Sequence, residues 1–128
     1  MQENHLFEYA IVRVVPLVER EEFLNVGVIL YCRQQKFLQM KFSLDEKRLL
    51  ALCPKAQPAE LRSHLEAFER ISMGKADAGP IAALDMASRF RWLTAKRSTM
   101  VQTSVVHPGL TKNAGETLER LYQQLVLC

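Results

Sequence analysis

The stretch Glu8–Cys32, EYAIVRVVPLVEREEFLNVGVILYC, decides the fold. Its opening part, Glu8–Pro16, is dense in β-branched residues and ends in a proline that has no N–H to give a ladder. That pattern predicts a strand, with Arg13 the charge in its middle. Its closing part, Phe23–Cys32, alternates: Leu24, Val26, Val28, Leu30 and Cys32 are predicted on one face, Phe23, Asn25, Gly27, Ile29 and Tyr31 on the other. Glu19–Glu22 fall in the loop between them and make the pair a hairpin.

Beyond a polar turn at Arg33–Gln35, the run Lys36–Ser43 sends Leu38, Met40 and Phe42 one way and Phe37, Gln39 and Lys41 the other. A three-stranded meander results. Antiparallel partners on one core face keep residue-number sums of fixed parity, and pairing Val26, Val28 and Leu30 with Phe42, Met40 and Leu38 meets that rule. The same rule sets Arg13 opposite or diagonal to Asn25 and Gly27, with all three on the non-core face.

Helical signals begin after Leu44. Asp45 is predicted to cap a short helix, Glu46–Leu52, that stops before Pro54. Pro58 opens a second helix, striped by Leu61, Leu65, Phe68 and Ile71 and ended by Gly74. Pro80 opens a third, Ile81–Ser88. A fourth strand is predicted at Met100–Val106, ending at His107-Pro108-Gly109. Asn113 and Glu116 read as a capping box for a last helix, whose stripe of Leu118, Leu121, Tyr122 and Leu125 should dock on the sheet. The expected fold is therefore α+β: an antiparallel sheet of about four strands, meander first, against three to four helices. One domain is expected over residues 1–128, with 1–7 as a mobile tail.

Composition sets the outer bounds. With 128 residues, 48% hydrophobic, 24% charged and a net charge of +3, the chain matches ordinary globular domains and can bury one core. No apolar run approaches the ~20 residues that cross a bilayer, and Met1–Phe7 lacks the basic and apolar regions of a signal peptide. A cytoplasmic protein with no membrane role is expected. Cys32, Cys53 and Cys128 are odd in number and widely spaced among apolar neighbours. They read as reduced, buried thiols rather than a disulfide frame or metal cage.

Charge is uneven. From Met86 to Gly115 there is no acid, while Arg89, Arg91, Lys96, Arg97 and Lys112 stand near His107. One reading is an anion surface, because guanidinium groups grip phosphate bidentately and Trp92 or Phe90 can stack on a base. The other is a solvated basic loop paired with Glu19, Glu21 and Glu22; a net charge of +3 is low for a nucleic-acid binder. Arg13 needs an acid, a carbonyl or a ligand, because an unpaired buried charge is costly. A pair with Glu8 or Glu22 and a ligand role both answer that need. Gly27 beside Asn25 marks either close backbone approach or a bulge.

Arg97 and Ser98 precede the fourth strand and His107 ends it. Fully extended, ten residues would hold Arg97 and His107 roughly 33 Å apart, so only one of them can work with Arg13. His107 is the candidate proton shuttle, histidine being the side-chain type suited to general acid–base work near neutral pH. There is no glycine-rich phosphate loop, HExxH, CxxC or GxSxG, and histidines 5, 64 and 107 lack ligand spacing. No metal, cofactor or catalytic residue is predicted, and enzymatic status stays open.

Tyr9–Cys32, followed by FLQMKF and by RFRWLTAKRSTMVQTSVVHPG (Arg89–Gly109), resembles a small bacterial family, domain of unknown function 3037. The features that carry the resemblance are Arg13 and Pro16 in the first strand, the turn and strand Arg20, Glu22, Phe23, Asn25, Val26, Gly27 and Val28, and the later R-F-x-W-L with R-S-T. The resemblance implies no activity. It implies a genomic habit, members encoded beside a HipA-like kinase protein, and hence an accessory subunit.

Two functions follow as expectations. The first is a non-catalytic interaction module that meets a partner, the HipA-like kinase protein among the candidates, through Arg13, Asn25 and Arg97. The second is a phosphate-directed domain that binds or cleaves nucleotide or nucleic acid, with Arg13, Arg89 and Arg97 as anion clamps and His107 as shuttle. A homodimer with Arg13 paired across the interface is a third arrangement.

Overall fold

The β-branched runs do pair as a meander. In the computed structural model, which describes residues 3–127, β1 (His5–Val14) lies antiparallel to β2 (Leu24–Cys32), and β2 to β3 (Phe37–Phe42). β4 (Val101–Thr103) and β5 (His107–Thr111) both pair antiparallel with β1, completing a five-stranded sheet. Four helices cover it: α1 (Glu46–Leu52), α2 (Pro58–Ser72) and α3 (Met86–Leu93) on one face, and α4 (Ala114–Tyr122), which runs into a π-helical turn Gln123–Leu127, on the other. The fold is α+β. Among the described residues no helix is long and apolar enough to cross a membrane.

The hairpin register is broken once. Val12 faces Gly27, yet Arg13 faces Asn25, so Val26 is an extra residue in β2. This bulge reverses the alternation on its two sides. Leu24 and Val26 therefore share the α1–α3 face with Ile29, Tyr31, Leu38 and Met40, while Val28, Leu30 and Cys32 pack under α4. The expected single apolar face of Leu24–Cys32 is thus divided between two. The β2–β3 register also differs by one residue from the expected one: Ile29 faces Met40 and Tyr31 faces Leu38. The parity argument assumed one wet face, whereas a strand buried on both carries no alternation to read.

The chain start and the fourth strand also differ from expectation. His5, Leu6 and Phe7 belong to β1 rather than to a tail, because β5 pairs along them: His5 faces Thr111 and Phe7 faces Gly109. A Cβ at Gly109 would stand 2.6 Å from the Phe7 ring, so that close approach needs glycine. Of the strand predicted at 100–106 only Val101–Thr103 pairs as β4, and a separate strand, β5, opens at His107 where β4 was expected to end. Between them Ser104 leaves the strand geometry but not its partner. Its N–H donates to the Ile11 carbonyl at 2.8 Å, and its Oγ accepts the Ile11 N–H, also at 2.8 Å.

Helix starts follow their caps. Asp45 accepts the Arg48 N–H at 3.1 Å, as expected. The third helix, predicted over Ile81–Ser88, begins instead at Met86, where Asp85 accepts the Ser88 N–H at 2.7 Å; Pro80–Ala83 form only a 3-10 turn. An acceptor side chain outweighs a proline as a start signal here. Asn113 accepts the Glu116 N–H at 3.0 Å, but its own N–H goes to Thr111 Oγ1, so only half of the expected box forms. Cys32 and Cys53 are buried and free; Cys128 lies outside the described residues.

Two expected outcomes follow from this packing. A Cβ at Gly27 would lie 2.6 Å from the Lys41 carbonyl oxygen and 2.8 Å from Phe42 Cβ. Gly27→Ala should therefore cost about 2 kcal/mol, read as a lower urea midpoint with an unchanged slope. Three exposed carboxylates sit below their ordinary pKa: Asp77 through the Arg70 hydrogen bond, Asp85 through Ser88, and Glu119 through Lys41. Folded values below unfolded ones stabilise above the unfolded range, about pH 4, and that stability is lost as pH falls through the folded values. Thermal melts should drop on acidification there, less steeply in Lys41→Met.

Candidate functional site

Alternation along β1 turns Ala10, Val12 and Val14 into the α1–α3 core and Arg13 to the opposite face. In the ladder Arg13 sits between Asn25 of β2 and Gln102 of β4. Its Nε is buried and has no hydrogen-bond partner. Its guanidinium lies over the Phe23 ring, 4.1 Å from the centroid. The expected acidic pairing does not form: Glu22 binds Arg20 at 2.6 Å, and none of the ion pairs among the described residues includes Arg13. An aromatic face offsets part of a cation's desolvation, but of the guanidinium N–H groups it gives the buried Nε–H no acceptor.

Those groups border a cavity of about 460 Å³. Arg13, Lys96 and Arg97 bring three cations to its wall against one acid, Glu21, while Ser98 and Gln102 add neutral polar groups. Arg97 is held from behind. Its guanidinium lies 4.6 Å from the Trp92 centroid and 5.0 Å from that of Phe68, and it donates a hydrogen bond to the Trp92 carbonyl. Burial holds its pKa below the ordinary arginine value, the direction for a cation with no carboxylate beside it. Preorganised donors around unneutralised cations suit an oxyanion, a carboxylate or a phosphoryl group.

The structure thus brings Arg13, Arg97 and Ser98 to one cavity and sets the other candidates elsewhere. Asn25 faces Arg13 in the ladder, but it lines a different hollow with Ser43, Asp45 and Arg48, and its Oδ1 is buried without a partner. Gly27 serves the approach to β3. Arg89 braces the fold: its Nη1 donates to the Leu84 carbonyl at 2.7 Å, and its Cζ packs by Gly74. His107 faces Tyr9, its ring 5.3 Å from the tyrosine's. Tyr9 is four residues along β1 from Arg13, about 13 Å. Of the two aromatics offered for stacking, Phe90 is buried against Tyr31, while Trp92 is partly open. Among the described residues no group of three or more His, Cys, Asp or Glu is placed to hold a metal.

Sequence reasoning did not single out Phe23 or Gln102. The signal for Phe23 was present, an exposed aromatic on the face assigned to Asn25 and beside the arginine. Gln102 carries none, since only the strand pairing places it next to Arg13.

A family signature matches residues 9–126, from the middle of β1 to the π-helical turn. The chain belongs to the family described as protein of unknown function, DUF3037. The matched span includes every residue of the Arg13 cavity named above. No curated protein and no solved structure matches the chain.

Arg13→Met separates a structural arginine from a ligand-binding one. Removing one member of a buried ion pair would cost about 3–5 kcal/mol. Because Arg13 has no such partner, the urea midpoint of Arg13→Met should stay level or rise.

Proposed function

We propose that this DUF3037 member is a non-catalytic interaction module that seats an anionic group of a partner protein in the Arg13–Arg97 cavity. The observation that carries the reading is the Arg13 guanidinium, in no ion pair among the described residues and backed by Phe23 at the wall of a cationic hollow. A cation kept in that state gains most from an anion brought from outside. Recognition fits better than turnover: His107, the candidate proton shuttle, pairs with Tyr9, four residues and about 13 Å along β1 from Arg13. The partner proposed is the HipA-like kinase protein that the family resemblance implies, met in the cytoplasm, where Cys32 and Cys53 stay thiols.

Co-expression tests the reading. The chain and the HipA-like protein should elute as one species at micromolar concentration, and Arg13→Glu should separate them by reversing charge at the centre of the contact. Two separate wild-type species, or a complex indifferent to Arg13→Glu, would reject it. Salt-dependent binding of an oligonucleotide, lost in Arg13→Glu and found without any protein complex, would move the site to the phosphate-directed reading.

A further inference from the structure

A second hollow, about 700 Å³, lies against the first, and the two share Arg97 and Val18 in their walls. Its remaining wall is mostly apolar, made of Phe68 of α2, Trp92 of α3, and Met100 and Val101 at the entry to β4, with His64 and Thr99 as its polar members. Arg97 is thus a partition, with the other cations on one side and mainly rings and aliphatic chains on the other. Resting on the reading of the Arg13 cavity as an anion seat, we propose that the two hollows form one bipartite site. It takes a peptide segment in which an anionic side chain adjoins a bulky aliphatic one. The anion, a carboxylate or a phosphoryl group, enters between Arg13 and Arg97, and the aliphatic group fills the space between Trp92 and Met100.

Three observations favour a peptide over a nucleobase. Arg97 already lies over both rings, so the stacking face a base would need is taken on that side. Phe68 and Trp92 also pack on each other, with centroids 6.1 Å apart at a 50° tilt, which leaves no flat slot between them. Away from the rings, Val18, Met100 and Val101 outnumber Thr99 and give the aliphatic surface that a leucine or isoleucine side chain complements. Charge supplies the orientation. The anion can sit only on the Arg13 side of the partition, so the order of the two side chains along the segment is set by the site.

Acetylated dipeptide amides give the test, titrated into the full-length labelled chain and followed by amide chemical shifts. The probes are Leu-Glu, Leu-phosphoserine, Gly-Glu, Gly-phosphoserine and Leu-Gln. A leucine-containing acidic probe should bind about tenfold tighter than its glycine counterpart, and Leu-Gln should lose that affinity. Met100→Ala, or Met100→Thr if the first variant does not fold, should erase the leucine advantage while leaving Gly-Glu binding unchanged. The tighter of the glutamate and phosphoserine probes names the anion. Equal binding of the leucine and glycine probes overturns the bipartite site and leaves the anion seat standing. Binding by none of the acidic probes overturns both. An oligothymidylate that binds in place of every peptide also overturns it.

Discussion

One register shift in the first hairpin organises this molecule. The extra residue at Val26 lets Leu24 and Val26 face three helices while Val28, Leu30 and Cys32 face the fourth, so a nine-residue strand serves two cores. Without the bulge, one of those sets would meet the wrong layer, because a one-residue slip sends every later side chain to the other face. The same kink twists the end of the hairpin and places Arg13 beside Phe23 rather than beneath a helix. Core and site therefore depend on a single local departure from ideal pairing.

The strands and three of the helices were legible because their signals are local. Valine density, an aspartate or asparagine at a helix start and a stripe at helical spacing act over a few residues; β2, β3, α1, α2 and α4 stand where those signals put them, and β1 starts three residues earlier. What stayed hidden was non-local. Burial of the sheet on both faces removes the alternation from which register is read, so Met40 was assigned to Val28 instead of Ile29. The split of the fourth strand depends on where β1 begins, and β1 begins early only because β5 covers it. Proline at position 80 and aspartate at position 85 compete as helix starts, and the hydrogen bond decides.

The site was legible in its centre and not in its extent. A lone arginine in a run of valine, isoleucine and alanine states its own problem, since the strand cannot solvate it. The choice of solution lies in distant chain: Glu22 is taken by Arg20, and the loop after α3 delivers Lys96, Arg97 and Ser98 to the same wall. Basic residues that look equivalent in sequence have separate uses in space. Arg89 ties down the turn before α3, while Arg97 is stacked and turned toward the hollow. Spacing alone cannot tell a brace from a clamp when both lie on one short helix and its exit loop.

The break between β4 and β5 has a consequence for how the chain behaves in a crowd. An uninterrupted outer strand offers a row of free amides to any passing strand, the route to fibrils and sticky aggregates. Here that margin is cut into pieces of three and five residues, with Ser104 folding its hydroxyl back onto Ile11 and Pro108 contributing no amide hydrogen at all. Main-chain zipping is blunted along this border, so a visitor must be recognised by side chains, which makes contact there selective instead of promiscuous.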